Sequence, residues 1–278
     1  ARPAIAGQAR YLTPGVAMGT RKVAWGVIST AKIGLNRVLP GMKKSPWCDI
    51  RAIASRSEAA ARNAADALGI PTAYGSYEAL LADPAIEAIY NPLPNHLHVP
   101  LTLAAARAGK HVLCEKPIAL TAGEAGQLRD VARVVLIAEA FMVRFHPQWL
   151  RARELVREGR IGTLRAVQAF FAYDNPDPAN IRNRAEVGGG GLYDIGCYPS
   201  VAGGWFCGSE SECGVARIER EPAPILTSFS TQFGPISTRS PSSTRPSNRQ
   251  FASMNTSRPQ SSSPRTSMRA GSASVTPC

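Results

Sequence analysis

The sequence predicts an α/β protein built on a doubly wound parallel sheet. The first indication is the apolar run VAWGVIS at 23–29, which is typical of a parallel strand buried on both faces. The second is the alternation of such runs with helix-like segments up to about residue 141. The third is a stretch of small residues directly after the first run, where a Rossmann fold carries its phosphate-binding loop.

The later elements follow from periodicity and from signals at their ends. The pattern predicts further strands at 50–55, 86–92, 111–116 and 134–141. It predicts helices that end at Met42 and that span 58–69, 77–83, 96–108 and about 121–132. Gly69 and Gly109 end two of these helices, and Thr121 with Glu124 forms a capping box for the last. The junction at 132–134 contains no Gly, Pro or Asn, which indicates a small deletion.

After Phe141 the pattern changes to the start of an α+β open-sheet domain. It predicts an amphipathic helix at 147–159, a long strand at 164–173 and a helix entered through glycines at 188–206. The chain is therefore divided into a disordered extension at 1–19, a Rossmann domain at 20–141, a partial α+β domain at 142–226 and a tail at 227–278.

The tail has a composition that cannot form a core. It contains 15 Ser, 7 Thr, 6 Pro and 6 Arg among its 52 residues, too little apolar surface to offset the entropy of ordering. A natural disordered tail and an out-of-frame translation of a lost half-domain both explain it. The second is favoured, because the strand at 164–173 is then left without partner strands.

Composition excludes several classes of function. The net charge of +12 includes six arginines from a tail without acidic residues, so nucleic-acid binding is not predicted. No run of about 18 apolar residues is present, so no membrane span is expected. Six cysteines without a C-x-x-C pair indicate neither a metal site nor a disulfide framework. The N-terminus lacks a secretory pattern, and a cytoplasmic location is expected.

The stretch GVISTAKIG at 26–34 lies between the first strand and the first helix. It replaces the usual G-x-G-x-x-G by a pattern of Ser29, Ala31 and Gly34, which are small enough for a backbone approach to a pyrophosphate. An ordinary strand–turn–helix connection remains the alternative. The candidate phosphate-binding residues are Ser29, Thr30, Ala31, Lys32, Ile33 and Gly34.

The end of the second strand indicates which dinucleotide is bound. An NAD site places Asp or Glu there to bind the ribose 2′-hydroxyl, whereas this chain has Ser55 and Arg56 and no acid before Glu58. A hydroxyl and a guanidinium fit a 2′-phosphate instead. NADP is therefore predicted over NAD, and the alternative is that Arg56 is a solvated surface residue.

Four stretches together carry a resemblance to a known family. They are STAKIGLNRVLPG at 29–41, NPLPNHLHVP at 91–100, AGKHVLCEKP at 108–117 and GGGGLYDIGCYP at 188–199. The chain resembles the glucose–fructose oxidoreductase / inositol dehydrogenase (Gfo/Idh/MocA) family over about residues 20–225. Within it, the chain is most similar to the branch of NADP-dependent D-xylose dehydrogenases and dimeric dihydrodiol dehydrogenases.

The resemblance implies roles for the charged residues near the cofactor. Lys116 would lie beside the nicotinamide and contact the substrate hydroxyl, before a proline bond that is often cis. Glu115 would hold the cofactor ribose or orient Lys116. Asp194 would hydrogen-bond the substrate or orient the acid–base group. Tyr198 would be the second proton-transfer group, with its ionisation eased by a cation such as Lys116; by spacing alone it is a packing residue.

The resemblance also implies cofactor contacts from two loops. Pro92, Asn95 and His98 would border the nicotinamide and its ribose, although His98 is equally explained as a helix-surface residue. Arg144 would lie near the domain junction, in contact with cofactor or substrate or in plain interdomain pairing.

The predicted function is that of an NADP-dependent oxidoreductase. It would transfer a hydride between nicotinamide and a sugar, such as the aldoses xylose or glucose, or a trans-dihydrodiol. A non-catalytic dinucleotide-binding regulator and a truncated, inactive family member are the alternatives. The family is usually homo-oligomeric, but the sheet that forms its interface is expected to be missing after about residue 226.

Overall fold

The computed structural model describes residues 21–207, 213–219 and 225–232. Its first sheet contains six strands: β1 (Val23–Ile28), β2 (Cys48–Ala54), β3 (Thr72–Tyr74), β4 (Ala88–Asn91), β5 (His111–Cys114) and β6 (Ile137–Glu139). All neighbouring pairs are parallel, in the order β3-β2-β1-β4-β5-β6. The predicted doubly wound Rossmann sheet is confirmed. Its order reverses between β1 and β4, where such sheets bind ligands.

Helices cover both faces of this sheet. They are α1 (Leu39–Lys43, preceded by a π-helical turn at Gly34–Val38), α2 (Glu58–Leu68), α3 (Tyr77–Ala82), α4 (His98–Arg107) and α5 (Ala122–Val131). Alternate strand residues enter opposite core layers, so that Val27 and Ile53 pack in one layer while Ile28 and Ala54 pack in the other. This burial on both faces explains the continuous apolar runs.

The structure differs from the sequence prediction at two strands. The three-residue strand β3 was not predicted, because it is too short for a periodic signal. The strand predicted at 134–141 forms only as β6, since a turn follows α5 and leaves Val134 and Leu136 85% and 74% exposed. The apolar run that contains Val134 and Leu136 predicted a buried strand, but these residues lie in the connection between α5 and β6.

The second part of the chain contains α6 (Pro147–Arg157), α7 (Cys197–Cys207) and strands β7 (Ala166–Tyr173), β8 (Cys213–Glu219) and β9 (Ile225–Gln232). The strands form an antiparallel sheet in the order β7-β9-β8. The expectation that the 164–173 strand lacks partners is wrong, because β9 pairs with β7 from Tyr173 to Ala166. Strand β9 crosses the predicted boundary at 226. The predicted extension at 1–19 and the tail from residue 233 lie outside the described residues.

The described part of the chain has neither a membrane-spanning helix nor a cluster of metal ligands. Among residues 21–207, 213–219 and 225–232, no helix combines the length and apolar character needed to cross a membrane. The same residues contain no group of three or more His, Cys, Asp or Glu side chains placed to hold a metal ion.

Candidate active site

The predicted phosphate-binding loop begins with a strained serine. Ser29 has a φ of 86°, a left-handed conformation that glycine adopts more readily. Its N–H donates to the Ala54 carbonyl at 2.8 Å and its hydroxyl accepts from the Ala31 N–H at 3.1 Å. Ser29 therefore stands where the usual dinucleotide-binding pattern has its first glycine, and it adopts a backbone conformation that glycine allows.

The helix after this loop presents free backbone donors. The Leu35 N–H donates to the Ala31 carbonyl at 3.1 Å, so the N–H groups of residues 32–34 precede the first helical bonds. A Cβ on Gly34 would lie 3.4 Å from Cε1 of Tyr90, which shows how closely the helix packs on β4. This geometry fits a pyrophosphate at the helix N-terminus.

The predicted 2′-phosphate residues follow the end of β2. The Ser55 hydroxyl accepts from the Ser57 N–H at 3.3 Å, and the Arg56 side chain is exposed. Burial raises the pKa of Tyr77, and the neighbouring Arg56 guanidinium opposes that rise. Arg56 therefore lies beside the Tyr77 phenol at the carboxyl edge of the sheet.

A cleft of about 560 Å³ lies between the two parts of the chain. It is lined by the predicted residues Ile33, Pro92, Asn95, His98, Glu115 and Lys116 of the first part, and by Asp194 and Tyr198 of the second. Arg37 and Arg182, which were not predicted, also line it. The remaining predicted residues, Ser29, Thr30, Ala31, Lys32, Gly34, Ser55, Arg56 and Arg144, lie outside this lining.

Lys116 and Asp194 form a partly buried ion pair in the cleft. The Lys116 Nζ donates to the Asp194 Oδ1 at 3.0 Å and also to the Asp194 backbone carbonyl. Their side chains are 15% and 13% exposed. An ammonium has three donors, so this pair leaves one Lys116 N–H for a ligand.

The Asp194 carbonyl is accessible to Lys116 because the helix around it is irregular. Asp194 lies in a π-helical turn, Leu192–Gly196, directly before α7. Pro199 has no N–H, so it can bond neither Ile195 in an α-helical register nor Asp194 in a π-helical one. Pro199 in the GCYP sequence thus removes one backbone N–H that could bond the helix carbonyls, and the Lys116 ammonium donates to the Asp194 carbonyl instead.

Asp194 also accepts hydrogen bonds from two residues that sequence reasoning missed. The Tyr173 hydroxyl, at the end of β7, donates to the Asp194 Oδ2, and Arg182 Nε lies 3.2 Å from the same oxygen. Burial alone would raise the pKa of Asp194, but Lys116, Tyr173 and Arg182 together hold it below its usual value. Asp194 is therefore a carboxylate at neutral pH, fixed by its donors.

Tyr198 contacts both aromatic neighbours and the ion pair. Its ring lies 5.0 Å from the Phe141 ring and 5.7 Å from the Phe171 ring, and the Lys116 Nζ lies 5.2 Å from its centroid. Burial and nearby negative charge raise the pKa of Tyr198 to about 12. The expectation of an eased ionisation is therefore wrong in direction: without ligand the phenol stays protonated, because desolvation outweighs the cations.

Glu115 accepts a hydrogen bond from a buried tyrosine of β4. Its Oε1 accepts from the Tyr90 hydroxyl at 2.8 Å, and Tyr90 is fully buried. Burial raises the pKa of Tyr90, with the Glu115 charge adding to the rise, so the phenol is a permanent donor. Tyr90 thus contacts both Gly34 of the predicted phosphate loop and Glu115, the residue before Lys116.

His98 connects two loops of the cleft. It is 1% exposed, and its Nδ1 and Nε2 lie 2.6 Å from the Pro117 carbonyl and 2.7 Å from the Leu93 carbonyl. Burial lowers the pKa of His98, and the two carbonyls oppose that change. The alternative of a helix-surface histidine is wrong. His98 fixes the Lys116–Pro117 bond, which is cis, against the loop after β4.

Asn95 and two glycines join the same loop to the second part of the chain. The Asn95 Nδ2 donates to the Gly188 carbonyl at 2.8 Å. A Cβ on Gly188 would lie 2.9 Å from the Asn95 Cβ, and one on Gly189 would lie 2.4 Å from the Ile181 carbonyl oxygen. The glycine run is therefore needed for close approach, and it places the Arg182 segment beside Asp194.

Arg144 lies away from the cleft lining. Its guanidinium is 5.8 Å from the centroid of the Trp205 ring in α7. Both residues belong to the second part of the chain, so this contact is not the predicted interdomain pairing, and a role of Arg144 in binding cofactor or substrate stays a prediction.

The fold and the cleft together define a Rossmann-type, two-part protein with a charged pocket at the carboxyl edge of its parallel sheet. The chain belongs to the Gfo/Idh/MocA oxidoreductase family. The family's NAD-binding Rossmann-fold model matches residues 23–135, and the model of its C-terminal domain matches residues 149–229.

Individual relatives support the same assignment. An uncharacterised oxidoreductase of Rhizobium meliloti is 46% identical over 202 residues, which cover 72% of this chain and 60% of the relative. The D-xylose 1-dehydrogenase (NADP(+)) 2 of Haloferax volcanii is 46% identical over 188 residues, 66% of this chain and 57% of that protein. The chain therefore spans less than two thirds of the length of these relatives.

A solved structure is also similar. A 3-ketoreductase from Actinomadura kijaniata, in complex with NADP and TDP-benzene, superposes with a TM-score of 0.64 at 37% identity. The match covers 74% of this chain and 65% of that one. Variants of that protein with one tyrosine replaced by phenylalanine, or one lysine by alanine, have similar folds.

Proposed function

We propose that this chain is an NADP-dependent oxidoreductase that transfers a hydride between nicotinamide and a sugar carbon bearing a hydroxyl or keto group. The observation that carries the proposal is the arrangement of Lys116, Asp194 and Tyr198 around one cleft. A cation with one unused N–H and a protonated phenol there suit proton transfer to or from a substrate oxygen.

The residues present fit a dinucleotide phosphorylated on its ribose. The free N–H groups of residues 32–34 would hold the pyrophosphate, and Ser55 with Arg56 would hold the 2′-phosphate. No acid occupies the end of β2, so the contact that favours NAD is missing there. The NADP in the name of the Haloferax enzyme and in the ketoreductase complex supports this preference.

The sequence spacing supports Lys116 and Tyr198 as the proton-transfer pair. The lysine and the tyrosine replaced in the ketoreductase variants are 84 residues apart in that chain. Lys116 and Tyr198 are 82 residues apart, whereas Tyr173 follows Lys116 by only 57. Tyr198 is therefore proposed as the catalytic phenol and Tyr173 is not.

A bound dinucleotide would supply or accept the hydride, while the protein orients the substrate and gives or takes the proton. In the reducing direction, Tyr198 Oη donates its proton to the keto oxygen, and the unused Lys116 N–H hydrogen-bonds that oxygen as negative charge develops. In the oxidising direction, Tyr198 must first lose its own proton to solvent, and the resulting phenolate then accepts the hydroxyl proton. After reduction, the Tyr198 phenolate regains a proton from solvent. Asp194 takes no proton in either direction, because its oxygens are already held by donors.

Turnover assays with the whole chain test the proposal. NADP⁺ is offered with aldoses and with trans-dihydrodiols, NADPH is offered with keto-sugars, and formation or loss of reduced nicotinamide is followed by absorbance. Activity with a sugar that falls by about a thousandfold in Lys116→Ala, but not in the exposed-lysine control Lys44→Ala, supports it. Tight NADPH binding without turnover of any compound would favour a regulator or an inactive member instead.

A further inference from the structure

We infer that Tyr173 is a positioning residue that fixes the Asp194 carboxylate so that Lys116 keeps its ammonium oriented in the cleft. The inference rests on the proposed function, because that function gives Lys116 a substrate oxygen to bind. Neither the motifs nor the spacing that identified Lys116, Asp194 and Tyr198 points to Tyr173.

The first argument is the distribution of donors around Asp194. Lys116 binds Oδ1, and the opposite oxygen, Oδ2, is held by Tyr173 and Arg182. The Arg182 side chain is 42% exposed and belongs to a long surface segment. The Tyr173 hydroxyl is therefore the better fixed of the two donors that prevent the carboxylate from rotating away from Lys116.

The second argument is that Tyr173 is itself firmly placed. It is the last residue of β7 and pairs with Ile225 of β9. Its ring lies 6.4 Å from the Phe171 ring, which in turn packs on Tyr198. The antiparallel sheet of the second part thus holds the Tyr173 hydroxyl in place beside the Lys116–Asp194 ion pair.

The third argument is that this donor does not change with pH near neutrality. Burial raises the pKa of the Tyr173 phenol, and the hydrogen bond to Asp194 adds to the rise. The two cations that pair with Asp194 are Lys116, which follows β5, and Arg182 in the segment before α7. Tyr173 contributes no charge of its own, so it acts on Asp194 only through a hydrogen bond that fixes the orientation of the carboxylate.

The test compares Tyr173→Phe with Tyr193→Phe in the whole chain. Tyr193 is a matched control, because its hydroxyl donates at 3.0 Å to the Leu120 carbonyl rather than to the Asp194 carboxylate. The Asp194 carboxyl is titrated by ¹³C NMR of aspartate-labelled protein without ligand, and kcat and KM are measured with NADPH. Thermal unfolding confirms that both variants fold.

The expected result is an upward shift of the Asp194 titration midpoint in Tyr173→Phe but not in Tyr193→Phe. A kcat about tenfold lower, with an unchanged KM for NADPH, is expected in the same variant alone, because Asp194 loses a charge-assisted hydrogen bond that holds its carboxylate against Lys116. An unchanged Asp194 midpoint in Tyr173→Phe, or equal kcat losses in both variants, would overturn the inference. A wild type without turnover would count against the proposed function, while the NMR result would still decide the role of Tyr173.

Discussion

Ser29 shows how one residue can satisfy a loop geometry that usually requires glycine. Its left-handed φ of 86° is unfavourable for a residue with a side chain, but its hydroxyl accepts from the Ala31 N–H. The side chain therefore offsets part of the strain that it creates. Sequence reasoning proposed this turn as the phosphate loop, which stays a prediction, and the conformation of Ser29 became visible only in the structure.

Two substitutions separate these contributions of Ser29. Ser29→Ala keeps the Cβ and removes the hydroxyl, whereas Ser29→Gly removes both. We expect Ser29→Gly to have a free energy of unfolding about 1 kcal/mol higher than Ser29→Ala, because only the glycine relieves the left-handed strain. Urea unfolding measures the difference, and a Ser29→Ala protein at least as stable as Ser29→Gly would contradict it.

Asp194 gives the protein a defined dependence of stability on pH. Its folded-state pKa is below its usual value, so the unfolded state binds a proton more readily. The stability from Asp194 is therefore fully present above the unfolded-state pKa and is lost as the pH falls through the lower folded-state pKa.

This prediction is tested by the difference between wild type and Asp194→Asn in urea unfolding at several pH values. We expect a large difference at neutral pH that shrinks below the ordinary range of an aspartate. Asp49→Asn, at an exposed pair with Arg51, is the control and should show little difference at any pH. A wild-type advantage that is independent of pH would contradict the role assigned to Asp194.

At the scale of elements, the glycine run at 188–191 connects the helix of Asp194 to the segment of Arg182. A Cβ at Gly189 would meet the Ile181 and Arg184 carbonyl oxygens at 2.4 and 2.6 Å. Backbone atoms cannot move aside as a flexible side chain can. We expect Gly189→Ala to lower the free energy of unfolding by about 2 kcal/mol and to reduce turnover, because the Arg182 segment must shift.

The matched substitution for Gly189→Ala is Gly126→Ala. Gly126 lies inside α5, and a Cβ there would meet nothing within 4 Å. Alanine should stabilise that helix by up to about 1 kcal/mol. Thermal and urea unfolding of both variants checks the pair, and a Gly189→Ala protein as stable as wild type would show that the close approach is not required.

The elements that could be predicted from sequence are those with local signals. Helix α2 begins at the Ser57 cap and ends before Gly69, as its alanine pattern and terminal glycine indicate. Strand β3 and the short β6 were missed or misplaced because tertiary pairing, rather than composition, defines them. The same limit applies to Tyr90 and Tyr173, whose partners Glu115 and Asp194 are distant in sequence.

At the scale of the whole molecule, the cleft joins residues from both parts of the chain. Lys116 of the Rossmann part pairs with Asp194 of the second part, and Asn95 bonds Gly188 across the same junction. The predicted loss of the second sheet was wrong for β7, because β9 pairs with it and fixes Tyr173. A ligand in the cleft is therefore expected to stabilise the two parts together, in one unfolding transition that shifts with ligand concentration.

The most direct measurement is a fluorescence titration of the whole chain with NADPH and with NADH, repeated for Arg56→Glu. Without a dinucleotide in the cleft, Lys116 and Tyr198 would have no hydride chemistry to assist. We expect NADPH to bind at least about tenfold more tightly than NADH, since an Arg–phosphate contact is charge-assisted, and Arg56→Glu to abolish that preference while retaining NADH binding. Absence of binding by both dinucleotides, or a preference for NADH in the wild type, would contradict the proposed NADP-dependent function.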